Sequence, residues 1–315
     1  MSRSAERTDR MAGWVASVNG LIWLLGAGIV GLLAWPVFGP PVLVLLVWAA
    51  LWALNVAVAR GRAGAWAAPI LFGLTLLILW ELTVRLFAVP EVILPAPTAI
   101  AAAIAGNGPV LWADFLQTVL KGALSGWVIG SAAAILTALL VARSPLLARG
   151  LLPVGNFVAA LPIVGTAPIL VMWFGFGWES KAAVVVVMVF FPVLVNAVAG
   201  LADTTAMQRD LMRTYGASPG QELRFLRLSA ALPFLFNGLK IATTLALIGA
   251  IVAEFFGSPT VGMGFRISTE VGRLNLPMVW AEIVVAALAG SLSYAAIAVL
   301  EARLTFWHPS QRARG

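Results

Sequence analysis

Long apolar runs, separated by short polar breaks, dominate the chain. A helix needs about 20 mostly apolar residues to cross a bilayer, and eight stretches meet that requirement. They cover approximately 18–35, 41–59, 66–87, 115–142, 151–174, 182–201, 234–256 and 278–300. Several stops are legible: Pro36 ends the first stretch, and Arg60 and Arg62 follow the second. Helices that are apolar on every side belong in lipid or inside a bundle. The pattern predicts an all-α fold, a polytopic membrane helix bundle of about eight transmembrane helices. A polar start over residues 1–10 precedes the first run, as in a secretory signal. A second hydrophobic run follows it, with no small-x-small cleavage site and polar mature domain, so the first run is expected to stay as a span.

Two connections stand out from otherwise short loops. The segment 88–114 contains Leu94-Pro95-Ala96-Pro97, and 98–105 is expected to be an interfacial segment lying along the membrane. The loop 203–232 is long and charged. Thr205 with Gln208, and Ser218 with Gln221, have the spacing of capping boxes, in which two side chains close each other's free helix-end amides. Pro219 falls at a first helical position, where its missing amide is harmless. Gly216 suits the left-handed turn that ends a helix. The loop therefore predicts helix, sharp turn, helix, with Leu211, Met212 and Tyr215 on one face. Such an apolar stripe either docks a partner or packs on the chain's own span ends.

Composition agrees with lipid as solvent. The chain is 61% hydrophobic and 10% charged, against about 25% charged in an average soluble domain. Positive charge marks cytoplasmic loops. With an even number of spans and both termini inside, 14 of the 20 basic residues face the cytoplasm. Arg85, Lys121, Lys181, Arg266 and Arg273 fall outside, and Lys240 lies near an inner span end. Both termini are expected to be cytoplasmic. The net charge of +7 is explained by these loops and needs no nucleic acid.

The available chemistry is sparse. There is no Cys, and the single His is His308, so neither a thiolate or His metal site nor a Ser-His-Asp triad is predicted. No Gly-Lys dipeptide occurs, hence no P-loop lysine; no enzymatic activity, cofactor or metal is expected, and any ATP hydrolysis belongs to another chain. Gly175-Phe176-Gly177 and Gly262-Met263-Gly264 lack a third glycine and read as turns. Intramembrane charge is costly and points to function unless the side chain reaches a span end. Glu81, Lys121 and Glu282 are expected to reach such ends. Glu254, one turn from the end of its span, joins Asn156, Thr166, Asn196, Thr243 and Thr244 as candidates for a translocation path.

The loop also resembles the EAA loop of binding-protein-dependent ABC importers. That pattern is Glu-Ala-Ala, three residues, Gly, nine residues, an aliphatic, one residue, then Leu-Pro. Here Asp210-Leu211-Met212 holds the first place, Gly216 the glycine, Leu226 the aliphatic and Leu228-Ser229 the last. Asp replaces Glu, Leu-Met replaces Ala-Ala, and Ser replaces Pro. Leu94-Pro95-Ala96-Pro97, the stretch 118–122, Leu161-Pro162 with Ala167-Pro168, Trp173-Phe174-Gly175, Phe191-Pro192, Gly216-Ala217-Ser218, Ala253-Glu254 and Trp307 fall in the order of one branch. That branch contains permeases for nitrate, sulfonates, taurine and bicarbonate, and for pyrimidine vitamin precursors.

The resemblance covers about 66–307. It implies a type I importer permease domain over 65–307, an extra N-terminal hairpin over 1–64 and a cytoplasmic tail over 308–315. It further implies a bacterial inner-membrane location, a permease homodimer, a cytoplasmic ATPase dimer and a periplasmic substrate-binding protein. Asp210, Leu211, Met212, Tyr215, Gly216, Ala217, Ser218, Leu226 and Leu228 take the ATPase-coupling positions. The alternative from another class is an ion-driven secondary transporter. Broken helices would suit it, and Pro162 and Pro168 could break the fifth run, but the resemblance explains both prolines equally well. A passive membrane scaffold is a third reading, which the capped loop disfavours.

Overall fold

The computed structural model describes residue 20 and residues 40–61, 64–144, 146, 147, 149–151, 153, 155, 162–257 and 260–307. All regular structure among them is helical, and six helices are long and apolar enough to cross a membrane. Apart from Gly20, the expected first span, 18–35, lies outside the described residues, as do Asn156 and the tail 308–315.

The chain divides into two compact units, 1–103 and 104–315. In the first, α1 (Pro40–Ala59) packs on α2 (Gly64–Leu86). Their polar side chains find each other: Asn55 Nδ2 donates to Leu51 O and to Thr75 Oγ1, both at 2.9 Å. The segment expected to be interfacial is helical, as α3 (Pro97–Gly106). Glu81 does more than reach a span end, since it accepts from the Thr98 amide at 3.0 Å and from the Thr98 hydroxyl at 2.8 Å. It thereby anchors the N-terminal turn of α3, with Arg85 paired to the same carboxylate.

The second unit starts with α4 (Gly108–Phe115), a π-helical stretch π1 (Leu116–Leu124) and α5 (Ser125–Val141), which form one continuous helix. After Pro162 come α6 (Ile163–Phe174), α7 (Trp178–Ala202), α8 (Ala206–Thr214) and the single turn α9 (Pro219–Gln221). A second π-helical stretch, π2 (Glu222–Arg227), leads into α10 (Leu228–Gly257), followed by α11 (Met263–Gly272) and α12 (Leu276–Leu304).

Two expected spans need revision. The fourth starts earlier, at Gly108, because Asp114, which reads as a loop residue, is buried in the bundle. The seventh begins at Pro219, because the Ser218 cap opens a helix that never breaks before Gly257. Of the fifth, the described residues are 151, 153, 155 and 162–174, the last twelve of which form α6. Pro162 precedes it in an extended conformation, since proline cannot supply the amide a helix interior requires.

α7 is the central helix, packed most extensively on α10 and α5. Val185, Val189, Val193 and Ala197 recur every fourth residue and bury one face against Ala242, Ala246 and Ala250 of α10 and Ala134 and Ala138 of α5. Lipid gives no hydrophobic drive for helices to associate, so close van der Waals contact between small residues must hold them. A Cβ at Gly126 would stand 2.5 Å from Val185 Cβ and 2.7 Å from the Ala182 carbonyl. One at Gly200 would stand 2.7 Å from Phe234 Cβ. Lys240 and Glu301 pair at 2.8 Å and fasten α12 to α10.

Gly126→Val should cost about 1–3 kcal/mol or more through overpacking. Gly73→Val, where a Cβ would meet nothing within 4 Å, should be close to neutral. Thermal unfolding of the purified chain in detergent, followed by tryptophan emission, compares them.

Candidate functional site

The 203–218 loop stands away from the bundle. Both predicted capping boxes are present: Thr205 Oγ1 accepts from the Gln208 amide at 3.2 Å, and Gln208 returns a bond to the Thr205 amide at 2.9 Å. Ser218 and Gln221 repeat the exchange at 3.3 and 2.8 Å. Gly216, at φ +71°, takes the left-handed conformation that costs other residues about 1–2 kcal/mol. Its amide reaches Arg213 O at 2.9 Å, and the Ala217 amide reaches Met212 O at 3.0 Å, closing α8.

These bonds make α8 rigid without burying it. Met207, Leu211 and Tyr215, spaced by four, are 82%, 57% and 83% exposed. Met212 and Ala217 are half-buried, and Ser218 serves as the second cap. Asp210 and Arg213 approach to 3.7 Å, both well exposed, a pair worth little in water. On the return side the chain is fixed: Leu223 and Leu228 pack against the core with Leu139 and Val198, and Leu226 is half-buried. The loop is thus a small apolar-faced helix on a stalk that continues directly into α10.

The opposite end of the bundle holds a polar knot that sequence reasoning found only at Glu254. The Glu254 carboxylate accepts from the Thr118 hydroxyl at 2.9 Å and from the Gly264 amide at 2.8 Å. The Met263 amide donates to Thr118 Oγ1 at 2.8 Å. Asp114 accepts from the Gly262 amide at 2.6 Å and from Arg266 Nε at 2.9 Å. Three successive amides at the start of α11 are thereby saturated, with two carboxylates at the positive end of its dipole. A Cβ at Gly262 would stand 2.6 Å from the Glu254 carboxylate, so only glycine admits this approach. Lys181, buried, donates to the Phe176 carbonyl at 2.8 Å and to that of Gly257. Glu282 is fully buried beside Asp114 and Arg266, which overturns the expectation that it reaches a span end. It sits where α12 packs on α11 and α4. Lys121 is exposed.

The candidate path residues do not form one group. Asn196 is half-buried and accepts from Asn237 Nδ2 at 3.0 Å. Asn237, which sequence reasoning missed, lies seven residues before Thr244. The two share an exposed face of α10 with Ile241, and that spacing was the available signal. Thr166 is half-buried on α6 and bonds to Ile163 O at 3.3 Å. Thr243 is buried with its hydroxyl on Leu239 O, and Glu254 belongs to the knot.

A multi-pass helical bundle with an exposed, capped helix on a span-continuous stalk has the architecture of a membrane permease subunit. The sequence matches the family described as "Binding-protein-dependent transport system inner membrane component" over residues 128–306, and the chain belongs to it. It is 33% identical to a probable ABC transporter permease protein of Haemophilus influenzae, over 69% of this chain and 88% of that one. It is 33% identical to the formylaminopyrimidine transport permease protein ThiX of Halalkalibacterium halodurans, over 77% and 96%. It is 31% identical to the riboflavin transport system permease protein RibX of Chloroflexus aurantiacus, over 75% and 88%. The chain is therefore a multi-pass inner-membrane permease subunit of an ABC importer for a small solute. Nothing in these relationships favours an ion-driven secondary transporter.

Thr118→Val removes a hydroxyl that serves both Glu254 and the Met263 amide. Leaving buried partners unsatisfied costs about 1–3 kcal/mol each. Thr118→Val should lower thermal stability clearly, whereas Thr118→Ser should restore most of it; equal stability of the two would contradict the hydrogen-bonding role.

Proposed function

We propose that the α8 helix is the site at which a separate cytoplasmic ATPase drives this permease. The observation that carries the reading is the exposed face of Met207, Leu211 and Tyr215 on a helix with two closed caps and a stalk continuous with α10. Asp210, Leu211, Met212, Tyr215 and Gly216 form the contact and its turn. Ala217, Ser218, Leu226 and Leu228 set the stalk. Two copies of the chain pair, two ATPase subunits bind the α8 side, and a substrate-binding protein delivers solute from the opposite side. This places both termini in the cytoplasm and the polar knot at the periplasmic end. Residues 1–64 are an extra N-terminal hairpin that precedes the permease domain over 65–307.

The path runs along the exposed face of α10, with Asn196, Asn237 and Thr244 as its polar lining and Thr166 facing it from α6. Polar side chains on a span are costly toward lipid, so they are expected to face the bundle's working interior. Among the described residues this face presents amides and hydroxyls and no basic side chain. That favours a neutral heterocycle, such as a pyrimidine vitamin precursor, over nitrate, a sulfonate, taurine or bicarbonate. Uptake of labelled formylaminopyrimidine in preference to taurine is the expected result; the reverse preference refutes this assignment.

Leu211→Asp places a charge in an apolar contact and should weaken ATPase binding by about 2–4 kcal/mol. Gly216→Val opposes the left-handed turn by about 1 kcal/mol or more and should reduce binding less. Co-purification of the ATPase with each variant measures both. Full retention in Leu211→Asp would remove α8 from the interface.

Orientation has its own test on this cysteine-free chain. Tyr215→Cys should react with an impermeant maleimide in inside-out vesicles and remain unlabelled in right-side-out ones. The opposite pattern would invert the topology.

A further inference from the structure

Where α12 packs on α4, α10 and α11, Glu282 is fully buried. The other carboxylates at this end of the bundle have their donors. Asp114, from α4, accepts from the Gly262 amide and from Arg266 Nε. Glu254, from α10, accepts from the Thr118 hydroxyl and the Gly264 amide. Glu270, from α11, accepts from Arg273 and Asn275. Glu282 differs: among the described residues, neither of its oxygens receives a hydrogen bond.

The charges that act on Glu282 are those of Asp114, Arg266 and Glu254, and the Asp114 carboxylate is within hydrogen-bonding reach of it. Lys181 faces Glu254 from α7. Two cations therefore meet three carboxyls, and both cations are engaged: Arg266 by Asp114, Lys181 by the carbonyls of Phe176 and Gly257. A buried ion with no partner is costly, and two ionised carboxylates in contact are both acceptors with nothing to donate. Carboxyls placed in this way share one proton instead. Asp114 already accepts from an amide and a guanidinium, so it is the acceptor of the pair, and the hydrogen falls on Glu282.

We propose that this junction is a proton-binding site, in which Glu282 carries a hydrogen and donates it to Asp114, latching α12 to α4 and α11. Loss of that proton puts two like charges in contact beside a single guanidinium, so the same end of α12 is no longer held. The inference is independent of the reading of α8.

Infrared difference spectroscopy of the purified chain in nanodiscs at neutral pH tests it. Subtracting the Glu282→Gln spectrum from that of the unaltered chain should leave the C=O stretch of a protonated carboxyl, shifted when H2O is exchanged for D2O. Asp114→Asn should keep this band and move it to higher frequency, because a neutral acceptor bonds more weakly than a charged one. Thermal unfolding reads the latch. Glu282→Gln, which keeps a donor, should melt close to the unaltered chain. Glu282→Leu should melt about 2–4 °C lower, the shift of one lost hydrogen bond. Absence of the band overturns the proposal, as does a band that Asp114→Asn leaves unmoved. Higher melting temperatures in both Glu282 variants also overturn it, since they report relief of an unpaired buried charge. A band that emerges only when sodium is replaced by choline assigns the site to a monovalent cation and overturns the proton. Should Glu282→Gln not fold, the Asp114→Asn difference spectrum decides: a shifted band supports the pair, and an unmoved or missing one overturns it.

Discussion

A backbone that crosses hydrocarbon must satisfy its own amides and carbonyls, so helix ends are where this chain has to spend its charge. Between the ends the solution is close contact among Val, Ala and Gly. At the ends it is ionic. Lys181 sits on the carbonyls of Phe176 and Gly257, and Arg227 on those of Leu201 and Ala142. Asp114 and Glu254 sit on the opening amides of α11, and Glu81 on that of α3. Cations meet C-termini and carboxylates meet N-termini, the pairing that the helix dipole favours. In a chain that is only 10% charged, five of the charges are these fastenings.

The α8 loop is the exception, and it is the part on which the proposed ATPase contact rests. The start of α8 is closed by Thr205 and Gln208, its end by the Gly216 and Ala217 amides, and the start of α9 by Ser218 and Gln221, all from within the loop. The helix can therefore stand free with its apolar face unpaired and still keep its shape. A rigid external handle joined to a tightly packed interior suits force transfer, because close-packed helices shift as units rather than deform continuously.

This division also explains what could be read from the sequence. The caps and the Gly216 turn depend on residues three to six apart, and local spacing revealed them. The family relationship was legible for the same reason, through Gly216 and its fixed distance to Leu226 and Leu228. The polar knot was not legible beyond Glu254. Thr118 meets Glu254 across 136 positions and Asp114 meets Gly262 across 148, and no local pattern announces such pairs. Glu282 was misplaced because apolar periodicity cannot distinguish a span end exposed to water from one covered by α11 and α4. Asn237 was passed over among apolar neighbours, although its spacing from Thr244 placed both on one face. The continuity of the stalk with α10 was missed because charged residues in π2 look like loop until their contacts are known.

The central claim is that the free face of α8 is where energy enters the permease. A photo-crosslinking amino acid at Met207, in membranes that also contain the importer's ATPase, tests it most directly. The account predicts an adduct whose second component carries a P-loop sequence on peptide mass analysis, and none from the equally apolar position Leu136. Adducts from Leu136 alone, or from Met207 only to lipid or to a second copy of the chain, would contradict it.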